Sequence, residues 1–310
     1  MTGTAGTRQL THGRAGAGQG WWPRLSTALW RRPWARATLL LTPPLAWFLL
    51  VYVASLVILL ITAFWSINPF TTNIDRTWTL SNFQQIFTTP AYLSDIGQTV
   101  AMAAEVTLTD AIIAFPFAYF MARVAAPRTR TALFVAILLP LWASYLAKVY
   151  SWVLIFTNHG FLDWVVGGLG LGHPQLIYTN VAVYAVFCYL WLPFMIIPVY
   201  AALERVPQSM IEASQDLGAR TWRTTRSVLL PLVLPGIVAG SIFTFSLTLG
   251  DYITPLLIGG TSANFIGNII YTNIGIANNV PFAAAMALVP VVIMGIYLSV
   301  ARALGAFEAL

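Results

Sequence analysis

The sequence predicts an all-α integral membrane protein with six transmembrane helices, and three observations support this. Only 8% of the 310 residues are charged and 58% are hydrophobic, whereas about a quarter of the residues in soluble domains are charged. Uncharged stretches recur that approach or exceed the roughly 20 residues a helix needs to cross a bilayer. The arginines fall between these stretches. A soluble enzyme and a disordered chain are excluded, as is a disulfide scaffold, because Cys188 is the only cysteine.

Six spans follow one another along the chain, and all are expected to be helices because lipid offers no partner for unpaired backbone groups. In order, they cover about residues 39–65, 97–122, 131–156, 181–203, 226–251 and 282–300. Residues 1–36, rich in Gly, Thr, Ala and Arg, are expected to form a disordered cytoplasmic tail, and residues 37–310 the transmembrane domain. The stretches 67–96 and 158–180 are expected to be outer loops.

Arginine placement predicts that both termini are cytoplasmic. Residues 1–36 hold six arginines, and the segments after the second and fourth spans hold seven more, with Arg302 after the sixth. The segments on the opposite side hold only Arg76. Because cytoplasmic loops carry the excess of Lys and Arg, the net charge of +6 reports topology in a lipid bilayer, and no nucleic acid partner is expected.

No catalytic or nucleotide-binding motif accompanies the spans. A phosphate-binding P-loop needs Gly-Lys followed by Ser or Thr, but the single lysine, Lys148, follows an alanine. His12, His159 and His173 are isolated, and the sequence contains neither a Gly-x-Ser-x-Gly elbow nor a zinc-ligand spacing. We therefore expect a transport subunit with no enzyme site, metal or cofactor of its own.

The most informative segment is the cytoplasmic loop of about residues 204–226, between the fourth and fifth spans. It has the pattern of helix, break, helix, in which Pro207 suits a first helical turn and Ser209 is a candidate cap. Gly218 allows a sharp turn, and Pro231 is expected to mark the start of the next span. A short amphipathic helix here, with acids near its start, suits docking into a groove on another protein.

This loop resembles the EAA motif of binding-protein-dependent ABC importer permeases, which is Glu-Ala-Ala, three residues, Gly, nine residues and Ile-x-Leu-Pro. The matching residues, at the same spacing, are Glu212, Ala213, Ser214, Gly218, Val228, Leu230 and Pro231. Ser replaces the second Ala and Val replaces Ile. The resemblance implies a type I ABC importer (MetI-like) permease fold. It also implies an ATPase-coupling role for the following residues: Glu212, Ala213, Ser214, Asp216, Leu217, Gly218 and Pro231.

Further segments resemble the spermidine/putrescine transporter permeases of the PotB type. They are residues 80–83, 115–123, 139–152 and 250–255, with Gly259 and Gly260. The resemblance implies a heteromeric importer in the bacterial cytoplasmic membrane. It would contain a second homologous permease, two copies of an ATPase that uses ATP and Mg, and an extracytoplasmic binding protein.

The cargo stays open at this point, because related permeases carry other solutes such as iron or small anions. A self-sufficient secondary transporter or channel is an alternative that six spans alone do not exclude. A membrane enzyme is a third alternative, for which the sequence offers no catalytic group.

Ionisable groups at membrane depth are candidates for contact with cargo, since inserting one costs about 2.5–3.5 kcal/mol. Glu105 and Asp110 lie in the second span, Asp251 at the outer end of the fifth, and Lys148 in the third. Three acids and one base favour a cationic cargo. Glu105 and Asp110 point about 140° apart on a helix, so we expect at most one to line a pathway fully. Asp251 either lines the pathway or caps and anchors a loop.

Aromatic residues accompany these acids. Trp142, Tyr145 and Trp152 recur at helical spacing, together with the apolar Val149. Tyr252 lies beside Asp251. An aromatic stripe in the pathway would attract ammonium groups through cation–π contacts. Alternatively, these side chains form an interfacial belt, with Lys148 extending to the interface beside them.

Overall fold

The computed structural model describes residues 33–68, 71–170, 172, 175–260 and 263–303, which are almost entirely helical. Nearly all of the predicted N-terminal tail, with His12, lies outside these residues, as does His173. The described residues divide into two compact units, one ending at Ile58 and the other beginning at Leu59. In the first unit, α1 (Pro33–Phe48) is followed by a π-helical turn (Leu49–Val53) and by the start of α2 (Ala54–Thr62).

The second unit contains the remaining elements. In chain order they are β1 (Ser66–Ile67), β2 (Ile74–Asp75), α3 (Ser81–Thr88), α4 (Pro90–Tyr119), α5 (Pro127–Trp142), α6 (Tyr145–Phe156), α7 (Phe161–Gly168), α8 (Asn180–Arg205), α9 (Gln208–Asp216), α10 (Thr221–Thr224), α11 (Leu230–Gly250), α12 (Ile266–Gly275) and α13 (Val280–Ala303). Further π-helical turns cover Phe120–Val124, Thr225–Leu229 and Pro255–Gly259. The strands β1 and β2 form an antiparallel hairpin.

Five helices in the described part of the chain are long and apolar enough to cross a membrane, and a bent pair makes a sixth span. The five are Ala37–Thr62, Pro90–Val124, Asn180–Arg205, Thr221–Gly250 and Val280–Ala303. With the bent pair counted once, this agrees with the six predicted spans. Pro231 lies in the first turn of α11, as expected for the start of a helix. The span as a whole begins earlier, because α10 and a π-helical turn precede α11 without a break from Thr221.

The third span differs from the continuous helix predicted over residues 131–156. α5 ends at Trp142, and the segment Tyr145–Gly168 leaves it at 95°. Ala143 and Ser144 between them have extended backbone angles, with ψ values of 145° and 133°. Pro140, three residues before this elbow, has no N–H with which to continue the helical hydrogen bonds. The apolar run therefore contains two helices.

The expected outer loops also contain regular structure. Residues 67–96 include most of the hairpin, α3 and the first turns of α4, while residues 158–180 include α7. The buried side chain of Asn82 on α3 donates hydrogen bonds of 2.9 Å to the carbonyl of Ala63 and 2.7 Å to that of Trp65. α12 is a helix that the sequence analysis did not predict.

α8 is the central helix and packs against α4 and α11. Two glycines let α11 approach it closely. A Cβ added to Gly236 would lie 2.5 Å from the Cβ of Ala202 and 2.8 Å from the carbonyl oxygen of Pro198, and one added to Gly240 would lie 2.6 Å from the sulfur of Met195. Small residues permit this backbone approach between membrane helices, where packing replaces the hydrophobic effect as the driving force.

Candidate functional site

The loop with the Glu-Ala-Ser sequence forms a short helix that ends in a sharp turn. α9 starts after Pro207, and no side chain caps it, so the expectation that Ser209 is a cap is wrong. Gly218 has φ +79°, a left-handed conformation that glycine adopts without steric cost. The N–H of Gly218 donates to the carbonyl of Gln215 (2.8 Å), and that of Ala219 to the carbonyl of Ser214 (3.1 Å). The turn predicted at Gly218 is present.

α9 has one face against the protein and one facing outward. Ile211 is buried, while Glu212, Ala213, Asp216 and Leu217 are exposed. Leu217 is 89% exposed and Met210 is 45% exposed, so α9 presents apolar surface outward. A cleft of about 730 Å³ lies beside α9, and its lining includes Met210, Ala213, Leu217, Arg223 and Val228. The exposed face is therefore partly apolar and bordered by charged groups.

Ser214 and Thr224 connect α9 to the following span. Their hydroxyl oxygens lie 3.0 Å apart, and Thr224 is buried on α10 at the start of the helix that continues as α11. The residue that departs from Glu-Ala-Ala thus supplies a side-chain hydrogen bond that alanine would lack. This contact joins α9 to the start of the fifth span.

Two arginines at this end of the bundle make structural contacts. The sequence analysis treated them only as markers of topology. Arg123 donates hydrogen bonds to the carbonyls of Leu203 (2.7 Å) and Val206 (2.5 Å), at the junction between α8 and α9. Arg130 donates to two carbonyls of the π-helical turn after α4 and lies 3.6 Å from Glu204. The ends of the second and fourth spans are held together by these charged groups.

Polar side chains line the contact between α4 and α8 toward the opposite end of the bundle, and we call this contact the polar seam. Gln98 donates to Asn180 (3.3 Å), and the hydroxyl oxygens of Thr109 and Tyr184 lie 2.5 Å apart. Glu105, Asn180 and Tyr184 border a cleft of about 330 Å³. Glu105 is the only charged group among the described residues that line this cleft.

Asp110 lies in different surroundings from Glu105, as expected from their angular separation. Glu105 is exposed in the cleft, whereas Asp110 is 0% exposed. Neither carboxylate oxygen of Asp110 has a hydrogen bond of ordinary geometry, although the thiol of Cys188 on α8 lies beside it. Of these two acids, only Glu105 is accessible from outside the protein.

Asp251 follows α11 and anchors the elbow of the third span. Its carboxylate accepts hydrogen bonds from the hydroxyls of Tyr145 and Thr254 and from the backbone N–H groups of Ile253 and Thr254. Tyr145 also stacks on Trp191 of α8, with ring centroids 6.2 Å apart. Of the two roles considered for Asp251, capping and anchoring a loop is the one visible in these contacts.

The expected aromatic stripe is not continuous, because the elbow separates its members. Trp142 ends α5 and is 88% exposed, while Tyr145, Val149 and Trp152 lie on α6. Trp152 packs against Phe156 and Tyr189, with centroid distances of 5.1 and 5.3 Å. Tyr252, next to Asp251, stacks instead on Tyr271 of α12. In the described part of the chain, no cluster of three His, Cys, Asp or Glu side chains is arranged to hold a metal.

Sequence reasoning missed the α8 partners in the polar seam, Asn180 and Tyr184. It also missed Asn268 and Tyr271 on α12. Asn180 and Tyr184 are four residues apart, so they share one face of α8. This spacing was the available signal, but it becomes meaningful only when α4 is known to pack on that face.

The sequence of this chain is similar to those of known permeases. A family model for the binding-protein-dependent transport system inner membrane component matches residues 114–307. The inner membrane ABC transporter permease protein YdcU of Escherichia coli (strain K12) is 44% identical over 300 residues, which are 93% of this chain and 95% of that protein. The spermidine/putrescine transport system permease protein PotB of Haemophilus influenzae is 31% identical over 224 residues, 72% of this chain and 78% of that protein.

Two solved structures have the same fold. A bacterial ABC transporter involved in the import of the acidic polysaccharide alginate matches with a TM-score of 0.71 and 19% identity, over 90% of this chain and 98% of that chain. The bacterial alginate ABC transporter in complex with an alginate pentasaccharide-bound periplasmic protein matches with a TM-score of 0.72 and 18% identity, over 91% and 98%. The predicted importer-permease fold is thereby confirmed.

Proposed function

We propose a cargo for this chain, which belongs to the family of binding-protein-dependent transport system inner membrane components and is a permease subunit of an ABC importer. The proposed cargo is a cationic polyamine of the spermidine and putrescine class. The observation that carries the proposal is Glu105, an exposed carboxylate in the polar seam with no basic residue among the described residues lining its cleft. The similarity to PotB supports the same class.

In the proposed mechanism, an extracytoplasmic binding protein delivers the polyamine to a pathway between this chain and a second, homologous permease. Two copies of an ATPase bind ATP and Mg, and this chain binds no cofactor of its own. The ATPase contacts the exposed face of α9, through Glu212, Ala213, Asp216 and Leu217. Ser214 transmits the movement to the helix that contains Pro231, and the pathway opens alternately to either side of the membrane.

Along the pathway, Glu105 attracts an ammonium group from the solvent. Since an isolated carboxylate at membrane depth is costly, a cationic solute that pairs with it is stabilised there. Asp110 remains a proposed second acidic position, deeper between the helices. Asp251, Tyr145, Trp152 and Tyr252 are proposed to shape the end of the pathway opposite α9, and Trp142 to border it.

The proposal is tested by reconstituting the complete importer in liposomes and measuring ATP-dependent uptake of labelled putrescine and spermidine. Iron and small anions serve as competing cargoes. Uptake of polyamines alone supports the proposal, and uptake of another solute without polyamines rejects it. The isolated chain driven by an ion gradient is the control for a secondary transporter. For the coupling role, Glu212→Ala is expected to abolish ATPase stimulation by the loaded binding protein, while Gln215→Ala, at an exposed position of α9 outside the proposed contact, is the matched control.

A further inference from the structure

A stacked pair of tyrosines lies where the chain leaves α11 and enters α12. The ring centroids of Tyr252 and Tyr271 are 4.8 Å apart, with 15° between the ring planes. Tyr271 is 44% exposed, and Tyr252 is half-buried. The face of an aromatic ring carries negative electrostatic potential, so an accessible face of this pair attracts cations.

Asn268 lies one helical turn before Tyr271, and the oxygen of its side chain receives no hydrogen bond. Its amide nitrogen donates a hydrogen bond of 3.3 Å to the carbonyl oxygen of Tyr252, which fixes the direction of the amide group. Its Oδ1 atom is buried and accepts no hydrogen bond. A buried acceptor in this condition costs free energy, and an N–H group of a ligand would remove that cost.

The cluster is held together by a close backbone approach. A Cβ on Gly267 would lie 2.8 Å from the carbonyl oxygen of Asp251 and 3.0 Å from the Cβ of Tyr252. Asp251 is fixed in turn by Tyr145 and Thr254. The two tyrosines and the asparagine are therefore held beside one another by packing, and a ligand would reach the buried Oδ1 of Asn268 only when the exposed ring of Tyr271 moves aside.

We propose that Tyr252, Tyr271 and Asn268 form a binding subsite for a primary alkylammonium group. The tyrosine pair attracts the positive charge, and Oδ1 of Asn268 accepts one of its N–H groups. These recognising groups are uncharged, so they hold an ammonium less tightly than a carboxylate does. That suits a transport pathway, in which binding must be weak enough to permit release. The inference rests on the proposed polyamine cargo and adds the residues that recognise it.

The experiment uses the complete importer in liposomes, with saturating polyamine-loaded binding protein. Tyr271→Phe is made first, and that phenylalanine is then replaced by phenylalanines carrying one, two and three ring fluorines. Fluorine withdraws charge from the ring face with little change in shape, so we expect the initial uptake rate to fall with each fluorine, by roughly threefold to tenfold over the series. A role in packing alone would not follow the fluorine count.

Asn268 is tested by two substitutions and a matched control. Both substitutions remove the bond to the Tyr252 carbonyl, so their difference isolates the acceptor: Asn268→Leu, which also loses the acceptor, is expected to lower uptake to a similar extent, whereas Asn268→Asp keeps an acceptor and is expected to retain uptake. Asn273→Leu is the control, because Asn273 lies on the same helix and donates only to the carbonyl of Ile269. Its uptake is expected to match that of the wild type.

The outcomes separate this inference from the proposed function. If the wild-type importer transports polyamines but the fluorine series is flat, or Asn268→Leu behaves like the control, the subsite is rejected and the cargo stands. If the wild-type importer transports another solute and no polyamine, both proposals are rejected. A graded fluorine series together with a selective effect at Asn268 supports the subsite.

Discussion

The guanidinium of Arg123, at the end of the second span, donates a hydrogen bond of 2.7 Å to the carbonyl oxygen of Leu203, at the end of the fourth. A second bond reaches Val206, just before α9. Both acceptors belong to the last turn of α8 and its continuation, where helical carbonyls lack their own donors. Arg123 thus satisfies this helix end and fixes the direction in which the chain enters α9.

Arg123→Gln is predicted to loosen this helix end. Hydrogen bonds to charged groups contribute about 1.5–3 kcal/mol, so we expect a loss of stability of that order in thermal unfolding of the purified complex. Stimulation of ATP hydrolysis by the loaded binding protein should also fall. Arg128→Gln is the control, because Arg128 is exposed. Equal melting temperatures and ATPase rates for both variants would contradict the prediction.

Gly218→Ala is predicted to distort the turn after α9 without a steric clash. No atom lies within 4 Å of an added Cβ, so the expected cost comes from the backbone alone, about 1–2 kcal/mol for a residue with a side chain in the left-handed region. Gly218→Asn should be milder, because asparagine tolerates this conformation. The measurement is stimulated ATP hydrolysis, with the expected order Gly, Asn, Ala. Full activity of the alanine variant would show that coupling does not need this turn.

Glu105→Gln is predicted to lower polyamine uptake while leaving assembly intact. The carboxylate is exposed in the cleft, so its loss removes attraction for the cation and no internal ion pair. A contribution of about 1 kcal/mol corresponds to roughly a fivefold fall in uptake. Asp110→Asn is the comparison: it replaces a buried carboxyl group, which has the Cys188 thiol beside it, by an uncharged amide, so the melting temperature should be unchanged or higher. Unchanged uptake in both variants and in Asp251→Asn would reject the acidic pathway.

Tyr145→Phe is predicted to weaken the attachment of the elbow to the end of α11. The substitution keeps the ring stacked on Trp191 and removes the hydroxyl that bonds to Asp251 and Thr254. A hydrogen bond to a charged group contributes about 1.5–3 kcal/mol, and Asp251 keeps its bonds to Thr254 and to the backbone, so a loss at the lower end of that range is expected. The readouts are thermal unfolding and uptake, with Tyr150→Phe on the exposed side of α6 as the control. If the two variants melt together, the hydroxyl does not stabilise the elbow.

The spans could be predicted because length and hydrophobicity are local properties of a membrane helix. The short helix α9 and the turn at Gly218 could be predicted for a similar reason, since a spacing pattern and a glycine specify them. The elbow could not be predicted, because Ala143 and Ser144 interrupt the apolar run only weakly. Pro140 by itself indicates a kink, and the stabilising contact of Tyr145 comes from residues more than a hundred positions away.

The acidic candidates could be found from the sequence, but their surroundings could not. Glu105 and Asp110 differ in exposure because α8 covers one face of α4, and a single sequence does not reveal which helices are neighbours. The sequence is compatible with Asp251 as either a pathway residue or a loop anchor. Only its hydrogen bonds with Tyr145 and Thr254 distinguish these two roles. Asn268 and Tyr271 gain meaning only because α12 folds back against the segment that follows α11.

The glycine contacts between α8 and α11 have a consequence for how an importer of this kind can move. Helices that pack as closely as these do at Gly236 and Gly240 have little room to slide or rotate past each other, so we expect them to move together as one rigid body. α9 lies in the connection between these two helices. A displacement of that connection would therefore move α8 and α11 together. The flexibility that alternating access needs must then lie in other contacts, such as the elbow at Ala143 and Ser144.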